Sequence, residues 1–382
     1  MRIGVTTFGC DGGKSGISQY LINLLAAFDR LQTGATFEVL VCESERDIYV
    51  NKTMQMTTHV VAPSARTPVR DILWHLARLP GLCRARGYDL LFLPAGNRRL
   101  PWRCPCPTVA TVHDFSWLHM QKKYDATRLV YLNHLLPMLI ARLTRVITIS
   151  ESSRRDILAH TRTAPDKLVV IPNGVDHTCY YPRDRAVCQA HVARTFGVQG
   201  PYLLYISRLE HPGKNHVRLI RAFEQLKQRH GIPHELVLAG GDFLGADQVH
   251  RCVAASPVAS AIRLTGFVRT ADLPMLYGAA TAFVFPSLYE GFGLPLLEAM
   301  ACGIPVACSN TSSLPDVAGD AALMFDPSSS DAMADTIARL LLDERQHTQS
   351  QQRGLARARE FSWDACARAT YATLVTAAQT GR

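Results

Sequence analysis

The chain has 382 residues, 47% of them apolar and 19% charged. At about 150 residues per domain this predicts two domains with sizeable cores, and it argues against long disorder or a fibrous repeat. The net charge of +9 is uneven: residues 1–182 hold 22 Lys and Arg against 14 Asp and Glu, and the other 200 hold 19 against 18. The run Arg2–Phe8 reads as a strand entering a glycine-rich turn, so no secretion signal is expected. No uninterrupted apolar stretch approaches the ~18 residues of a membrane span, and Leu129–Ile149 is broken by Asn133, His134, Arg142 and Arg145.

Further strands are predicted at Thr36–Cys42, His59–Ala62, Asp89–Pro94, Val109–His113, Val146–Ser150 and Leu168–Ile171, alternating with helical patterns. The alternation restarts with Tyr202–Ser207, Glu235–Ala239, Ile262–Thr265, Ala282–Phe285, Pro305–Cys308 and Ala322–Phe325. Helices are predicted at Val217–His230, Thr270–Ala279, Leu296–Ala301 and, capped by Ser362, from Trp363 to about Ala378. This is an α/β pattern of two Rossmann-like, doubly wound parallel sheets facing a central cleft. Turn chemistry at Pro172-Asn173-Gly174 and Tyr180–Asp184 places the boundary, giving domains 1–180 and 181–362, with the last helix (363–382) packing back on the first.

The eleven cysteines are scattered, and only Cys104-Pro105-Cys106 are close in sequence. That spacing fits neither a zinc site nor a disulfide framework, so reduced structural thiols in a cytoplasmic protein are expected, with no metal site. The basic surplus is densest from Arg66 to Arg103, where Arg66, Arg70, Arg78, Arg84, Arg86, Arg98, Arg99 and Arg103 face only Asp71 and Asp89, with Trp74 and Trp102 interleaved. Two readings stand, a surface for anionic lipid headgroups or polyphosphates and a solvated helix face. No nucleic-acid partner is expected.

Four strand-end loops carry candidate chemistry. Gly9–Ser18 follows the first strand and opens a helix near Ser18 or Gln19, a possible phosphate cradle that matches neither GxGxxG nor GxxxxGK[ST]. In Val112-His113-Asp114 the imidazole can bond a sugar hydroxyl or phosphate, with Asp114 orienting it, although such a pair is often structural. In Ser207–Asn215, Arg208 and Lys214 can converge on one diphosphate, or sit as an ordinary basic pair. In Tyr289–Met300, Pro295 suits a first helical turn, Gly291, Gly293 and Leu294 can present amides, and Glu290 and Glu298 can accept sugar or ribose hydroxyls.

The Glu-x7-Glu spacing of Glu290 and Glu298 within FPSLYEGFGLPLLEAMACGIPVACSN resembles retaining glycosyltransferases of glycosyltransferase family 4. So do VHD at 112–114, VIPNGVD at 170–176, SRLEHPGKN at 207–215, LAGG at 238–241, LTGFV at 264–268 and SSLPDVAGDAALMFDP at 312–327. Each motif is common alone; their shared order over nearly the whole chain carries the resemblance. It implies a GT-B fold and a retaining nucleotide-sugar hexosyltransferase, with the acceptor held mainly by the first domain and the donor mainly by the second. By this resemblance Arg208 and Lys214 hold the diphosphate, Glu290 the donor sugar, Glu298 the ribose, and His113 the sugar near its reacting carbon. The amides of Gly291, Phe292, Gly293 and Leu294 contact sugar and phosphate, Gly266, Phe267 and Val268 border the base, and Gly16 lets the diphosphate approach. The first loop departs from the family, since Ser15 precedes Gly16-Ile17 where paired glycines are usual.

The stretch at 312–327 looks most like bacterial surface-polysaccharide mannosyl- and rhamnosyltransferases. The expected donor is therefore GDP-mannose, with UDP- or dTDP-sugars, an epimerase or a non-catalytic nucleotide-sugar binder as alternatives. The expected acceptor is a saccharide or a lipid-diphosphate-linked saccharide, at the inner membrane face if the basic region docks there. No cofactor is expected and a metal is not required, because two cations can neutralise the leaving diphosphate.

Overall fold

The computed structural model describes residues 1–13, 15–50, 54–61, 68–119 and 126–380. Lys14, Ala62 and Arg66, which enter the readings above, lie outside them. The chain forms two compact units, Met1–Gly174 with Ser362–Arg382, and Val175–Phe361. The division falls at Gly174, not at residue 180. There the outgoing and returning segments run side by side: Val175 N–H bonds the Phe361 carbonyl at 3.5 Å, and a Cβ on Gly174 would lie 2.1 Å from the Trp363 nitrogen.

The first unit is a seven-stranded sheet in the order β3-β2-β1-β4-β5-β6-β7. Its strands are β1 (Arg2–Thr6), β2 (Thr36–Val41), β3 (Thr57–Val60), β4 (Leu90–Leu93), β5 (Thr108–Val112), β6 (Arg145–Thr148) and β7 (Leu168–Val170), all paired in parallel. The four residues of β4, Leu90, Leu91, Phe92 and Leu93, are each 0% exposed, as an apolar strand covered on both faces must be. Helix α1 (Gly16–Leu31) lays Tyr20, Leu21, Leu24, Leu25 and Phe28 into the core. It starts earlier than Ser18 because the Ser15 side chain accepts from Ser18 N–H at 3.4 Å and caps it. Helices α2 (Leu79–Arg86) and α3 (Glu151–His160) follow.

The second unit is a six-stranded parallel sheet in the order β10-β9-β8-β11-β12-β13. It comprises β8 (Tyr202–Ile206), β9 (Glu235–Ala239), β10 (Ile262–Gly266), β11 (Ala282–Phe285), β12 (Val306–Ser309) and β13 (Leu323–Phe325). Its helices are α4 (Arg185–Phe196), α5 (His216–His230), α6 (Ala246–Ala254), α7 (Leu273–Ala279), α8 (Leu294–Ala301), α9 (Leu314–Ala318), α10 (Ser330–Leu342) and α11 (Glu344–Ala358). The closing helix α12 (Trp363–Thr380) belongs to the first unit, where Asp364 pairs with Arg30 at 2.6 Å and the Tyr371 hydroxyl donates to the Thr33 carbonyl at 3.0 Å. Among the described residues no helix is long and apolar enough to cross a membrane.

Two expectations need correction. Part of the basic region is neutralised within the fold: Arg98 pairs with Asp11 at 2.7 Å, Arg99 with Asp71, and Arg86 with Glu38, which is 1% exposed. The cysteines, scattered in sequence, are not all scattered in space, since Cys83 on α2 meets Cys104 and Cys106 with all three sulfurs within 4.8 Å of one another.

Candidate active site

In each sheet the strand order reverses at one place, between β1 and β4 in the first and between β8 and β11 in the second. Loops leaving the carboxyl ends of strands on either side of such a reversal cannot cross over it, which leaves a crevice where ligands bind. The loop after β8 carries Arg208 and Lys214, and the loop after β11 carries Glu290. The structure joins them: Lys214 Nζ lies 2.6 Å from Glu290 Oε1, with side-chain exposures of 21% and 15%. Leu288 N–H donates to the Gly213 carbonyl at 3.0 Å, so the two loops are also tied through their backbones.

Asn215, only 1% exposed, anchors this junction. Its amide nitrogen donates to the carbonyls of Pro286 at 2.9 Å and Pro327 at 2.8 Å, linking the segments that follow β11 and β13. The Tyr205 hydroxyl donates to the Lys214 carbonyl at 2.8 Å. Lys214 is therefore held at its backbone while its ammonium stays part-exposed. Arg208 leaves the same loop with its guanidinium 4.0 Å from the Phe243 ring centroid and 3.7 Å from the Glu210 carboxylate. A flat cation on an aromatic face keeps its in-plane N–H donors free to aim elsewhere.

The fourth loop turns into α8 at Gly293, whose φ of +110° and 2.9 Å approach to Leu314 by a hypothetical Cβ both call for glycine. Ser312 Oγ accepts from Glu290 N–H at 3.0 Å, and Ser313 Oγ lies 2.9 Å from the carbonyls of both Glu290 and Phe292. Gly291 and Phe292 are buried, and Leu294 begins the helix. Glu298, one turn in, accepts from the Tyr277 hydroxyl at 2.8 Å. Burial pushes its carboxyl up to about 7, against the lowering effect of hydrogen bonds from Tyr277 and Tyr180.

At the end of β10 the pairing register with β9 shifts between Leu264 and Gly266. Such an irregularity re-aims the next residues. Phe267 stands 75% exposed while Val268 is buried, and Phe243 and Leu244 are also exposed. Gly241 lies against Phe267, since a Cβ there would meet the Phe267 Cβ at 3.7 Å.

In the first unit His113 follows β5 and is 4% exposed. Its Nε2 is 2.7 Å from the Pro94 carbonyl and its ring meets Tyr20 edge-on at 4.8 Å. A carbonyl only accepts, so Nε2 carries the proton and Nδ1 is left as an acceptor. Burial lowers His113 to about 4, keeping it neutral near pH 7. The expected orienting role of Asp114 is not met by its hydrogen bond, because Asp114 Oδ1 accepts from Ser116 N–H at 3.1 Å; Pro94 and Tyr20 set the ring. In the glycine loop, Gly13 N–H is taken by Ser18 Oγ at 3.0 Å, while a Cβ on Gly16 would meet nothing within 4 Å.

The sequence reading singled out neither Asn215 nor Phe243, Ser312 and Ser313 as site residues. A polar residue directly after Lys214 at a helix start, and two serines ahead of Leu314-Pro315, are the signals that could have found three of them.

Residues 14–178 match the family described as Glycosyltransferase Family 4, and residues 191–357 match Glycosyl transferases group 1. O-antigen chain mannosyltransferase B of Escherichia coli is 36% identical over 281 residues, covering 74% of this chain and 73% of that protein. The chain belongs to glycosyltransferase family 4. Another relative, serotype-specific mannosyltransferase WbdA of Escherichia coli, is 30% identical over 278 residues, 71% of this chain, which spans only 33% of that longer protein. The two sheets of this family 4 glycosyltransferase form a GT-B fold. Its likeness to Anabaena Alr3699/HepE, solved in complex with UDP and glucose, has a TM-score of 0.76 at 20% identity and covers 98% of this chain and 100% of that one.

Proposed function

We propose that this glycosyltransferase transfers mannose from GDP-mannose, with retention at the anomeric carbon, to a saccharide or lipid-linked saccharide in surface-polysaccharide synthesis. The mannosyltransferase names of its relatives support the sugar. The observation that carries the site is the Lys214–Glu290 pair of 2.6 Å at the carboxyl-end reversal of the second sheet, with Arg208 on the same loop as Lys214.

Arg208 and Lys214 take the two phosphates, the first as a planar fork and the second as a point charge. Glu290, released from full engagement with Lys214 as the diphosphate arrives, accepts sugar hydroxyls and favours positive charge building at the anomeric carbon. Glu298 accepts the ribose hydroxyls, the amides from Gly291 to Leu294 meet sugar and phosphate, and Gly266, Phe267 and Val268 border the base. His113, neutral and with an acceptor nitrogen at Nδ1, accepts a hydrogen bond from a sugar hydroxyl, and Gly16 presents backbone to the substrate without a side chain in the way.

The bond from the anomeric carbon to the phosphate oxygen breaks. The acceptor oxygen bonds to that carbon on the same face, and the acceptor's proton passes to the departing phosphate. Arg208 and Lys214 neutralise the charge that leaves, so turnover is expected without added Mg2+ or Mn2+. The exposed Arg78, Arg84 and Arg103 are proposed to dock the protein on an anionic membrane carrying the acceptor.

The test is a thermal-shift panel of GDP, UDP and dTDP and their sugars, followed by transfer from labelled donors and NMR of the product's anomeric configuration. Saturation at 100 times the dissociation constant adds about 2.7 kcal/mol of stability. A shift confined to GDP and GDP-mannose supports the donor; a shift confined to UDP or dTDP reassigns it; inversion at the anomeric carbon overturns retention.

A further inference from the structure

The crossover before β4 and the loop after it meet at three sulfurs. Cys83, on α2, is 1% exposed among Leu79, Tyr88 and Leu91 of the core. Cys104 and Cys106, half-buried, pack against the same cluster. The Cys104 and Cys106 sulfurs are 3.5 Å apart, and all three sulfurs lie within 4.8 Å of one another.

Three sulfurs bound to one zinc at about 2.3 Å with tetrahedral angles stand about 3.8 Å from each other. The Cys104–Cys106 separation of 3.5 Å is close to that figure, and the other sulfur pairs lie within about 1 Å of it. Cys104-Pro105-Cys106 folds so that both of its sulfurs lie within 4.8 Å of the Cys83 sulfur, which gathers ligands from two separate segments at one point. The chemistry of the set is uniform: all ligands are soft thiolates, the type that selects Zn2+ and Cu+ over Mg2+ or Ca2+. Cys104 and Cys106 are part-exposed, so solvent is at hand to supply a fourth ligand.

We propose that Cys83, Cys104 and Cys106 bind one thiophilic d10 cation, separate from the transfer site, which clips α2 to the loop after β4. The clip brackets β4, the strand next to the sheet reversal, and fixes the segment that carries Arg84 and Arg103.

The full chain, purified under reductant and stripped with a chelator, is titrated with Co2+ as a spectroscopic probe, then with Zn2+ and, anaerobically, with Cu+. The proposal expects one equivalent per chain with a thiolate-to-cobalt charge-transfer band, displaced by Zn2+ or by Cu+, and metal analysis of the protein as purified, before stripping, names the resident cation. Cys104→Ser and Cys106→Ser should each weaken binding by about 100-fold or more, while Cys252→Ser should leave it unchanged. Cys83→Ser should do the same, and the two half-buried positions keep the test valid if that buried change prevents folding. Binding well below one equivalent, binding unaltered in the Cys104 and Cys106 variants, or a disulfide between these residues in place of metal uptake would each overturn the proposal.

Discussion

The two units wind their sheets in the same way and differ in what stands at the carboxyl ends of the strands. The first holds all of the chain's positive surplus, 24 Lys and Arg against 14 Asp and Glu, yet Arg86, Arg98 and Arg99 are spent on Glu38, Asp11 and Asp71, and the group after β5 is the neutral His113. The second is close to balanced in charge, and there Arg208, Lys214, Glu290 and Glu298 stand on the loops and first helical turn beside the reversal. Net charge therefore does not locate a charged site. What locates it is topology, which collects a few side chains at one sheet reversal, together with a neutral frame that holds their backbones.

The largest expected effect tests that division. Lys214→Ala or Arg208→Ala should each lower kcat by 10²- to 10³-fold, about 2.7–4 kcal/mol, as removal of a preorganised charge-stabilising donor does. Arg86→Gln in the first unit should leave kcat within about threefold and instead lower stability, because it strips a partner from the buried Glu38 carboxylate. Steady-state kinetics and denaturant melts on the same variants decide it, and turnover losses of similar size in both units would break the comparison.

A second contrast concerns the frames. Asn215→Ala should cost about 2–3 kcal/mol in urea melts, since it leaves the carbonyls of Pro286 and Pro327 buried without their donor. Ser153→Ala in the first unit removes two buried bonds, from Ser153 Oγ to the His113 carbonyl at 2.9 Å and from Ser150 Oγ to Ser153 Oγ at 3.1 Å, and should cost about 1–2 kcal/mol. Equal costs would mean that Asn215 does not tie the loops.

The two units also part company in pH response. Glu298 is raised from 4.5 to about 7, so the stability tied to its protonated form is complete below pH 4.5 and is lost as pH rises through 7. Ribose hydroxyls prefer the carboxylate, so nucleotide affinity measured by calorimetry should rise about tenfold from pH 6 to pH 8, a change of about 1.4 kcal/mol. His113 is lowered from 6.5 to about 4; its contribution is complete above pH 6.5 and is lost as pH falls through 4. In the folded protein it stays neutral between pH 6 and 8, and Glu298→Gln should flatten the affinity profile there. A rise that survives in Glu298→Gln would detach Glu298 from the nucleotide.

All thirteen strands among the described residues were legible because alternation of apolar runs and turn residues is local, and the motif loops were legible because they sit at strand ends. Glu290 and Lys214 each stood out as candidates by family resemblance, but their 2.6 Å ion pair did not. What stayed hidden was every partnership set by the third dimension. Asn215 reads as a helix start until Pro286 and Pro327 appear beside it; Asp114 reads as the partner of His113 until Pro94 supplies the carbonyl. The arginines read as a surface until Glu38, carried on β2 far upstream, is found beneath Arg86.

That last partnership shapes the smallest expected effect. If membrane docking used the whole Arg66–Arg103 run, every arginine in it would contribute; the ion pairs of Arg86, Arg98 and Arg99 restrict the contribution to exposed members such as Arg84 and Arg103. Each basic side chain near an anionic leaflet is worth about 1 kcal/mol, and the attraction fades beyond a Debye length of about 8 Å at physiological salt. Arg84→Gln and Arg103→Gln should therefore each weaken flotation with phosphatidylserine-containing vesicles by about fivefold, while Arg99→Gln, whose guanidinium is held by Asp71, should weaken it far less. Binding to neutral vesicles as strong as to anionic ones, or binding indifferent to salt, would return this surface to the solvated helix face and leave the first unit with no charged partner at all.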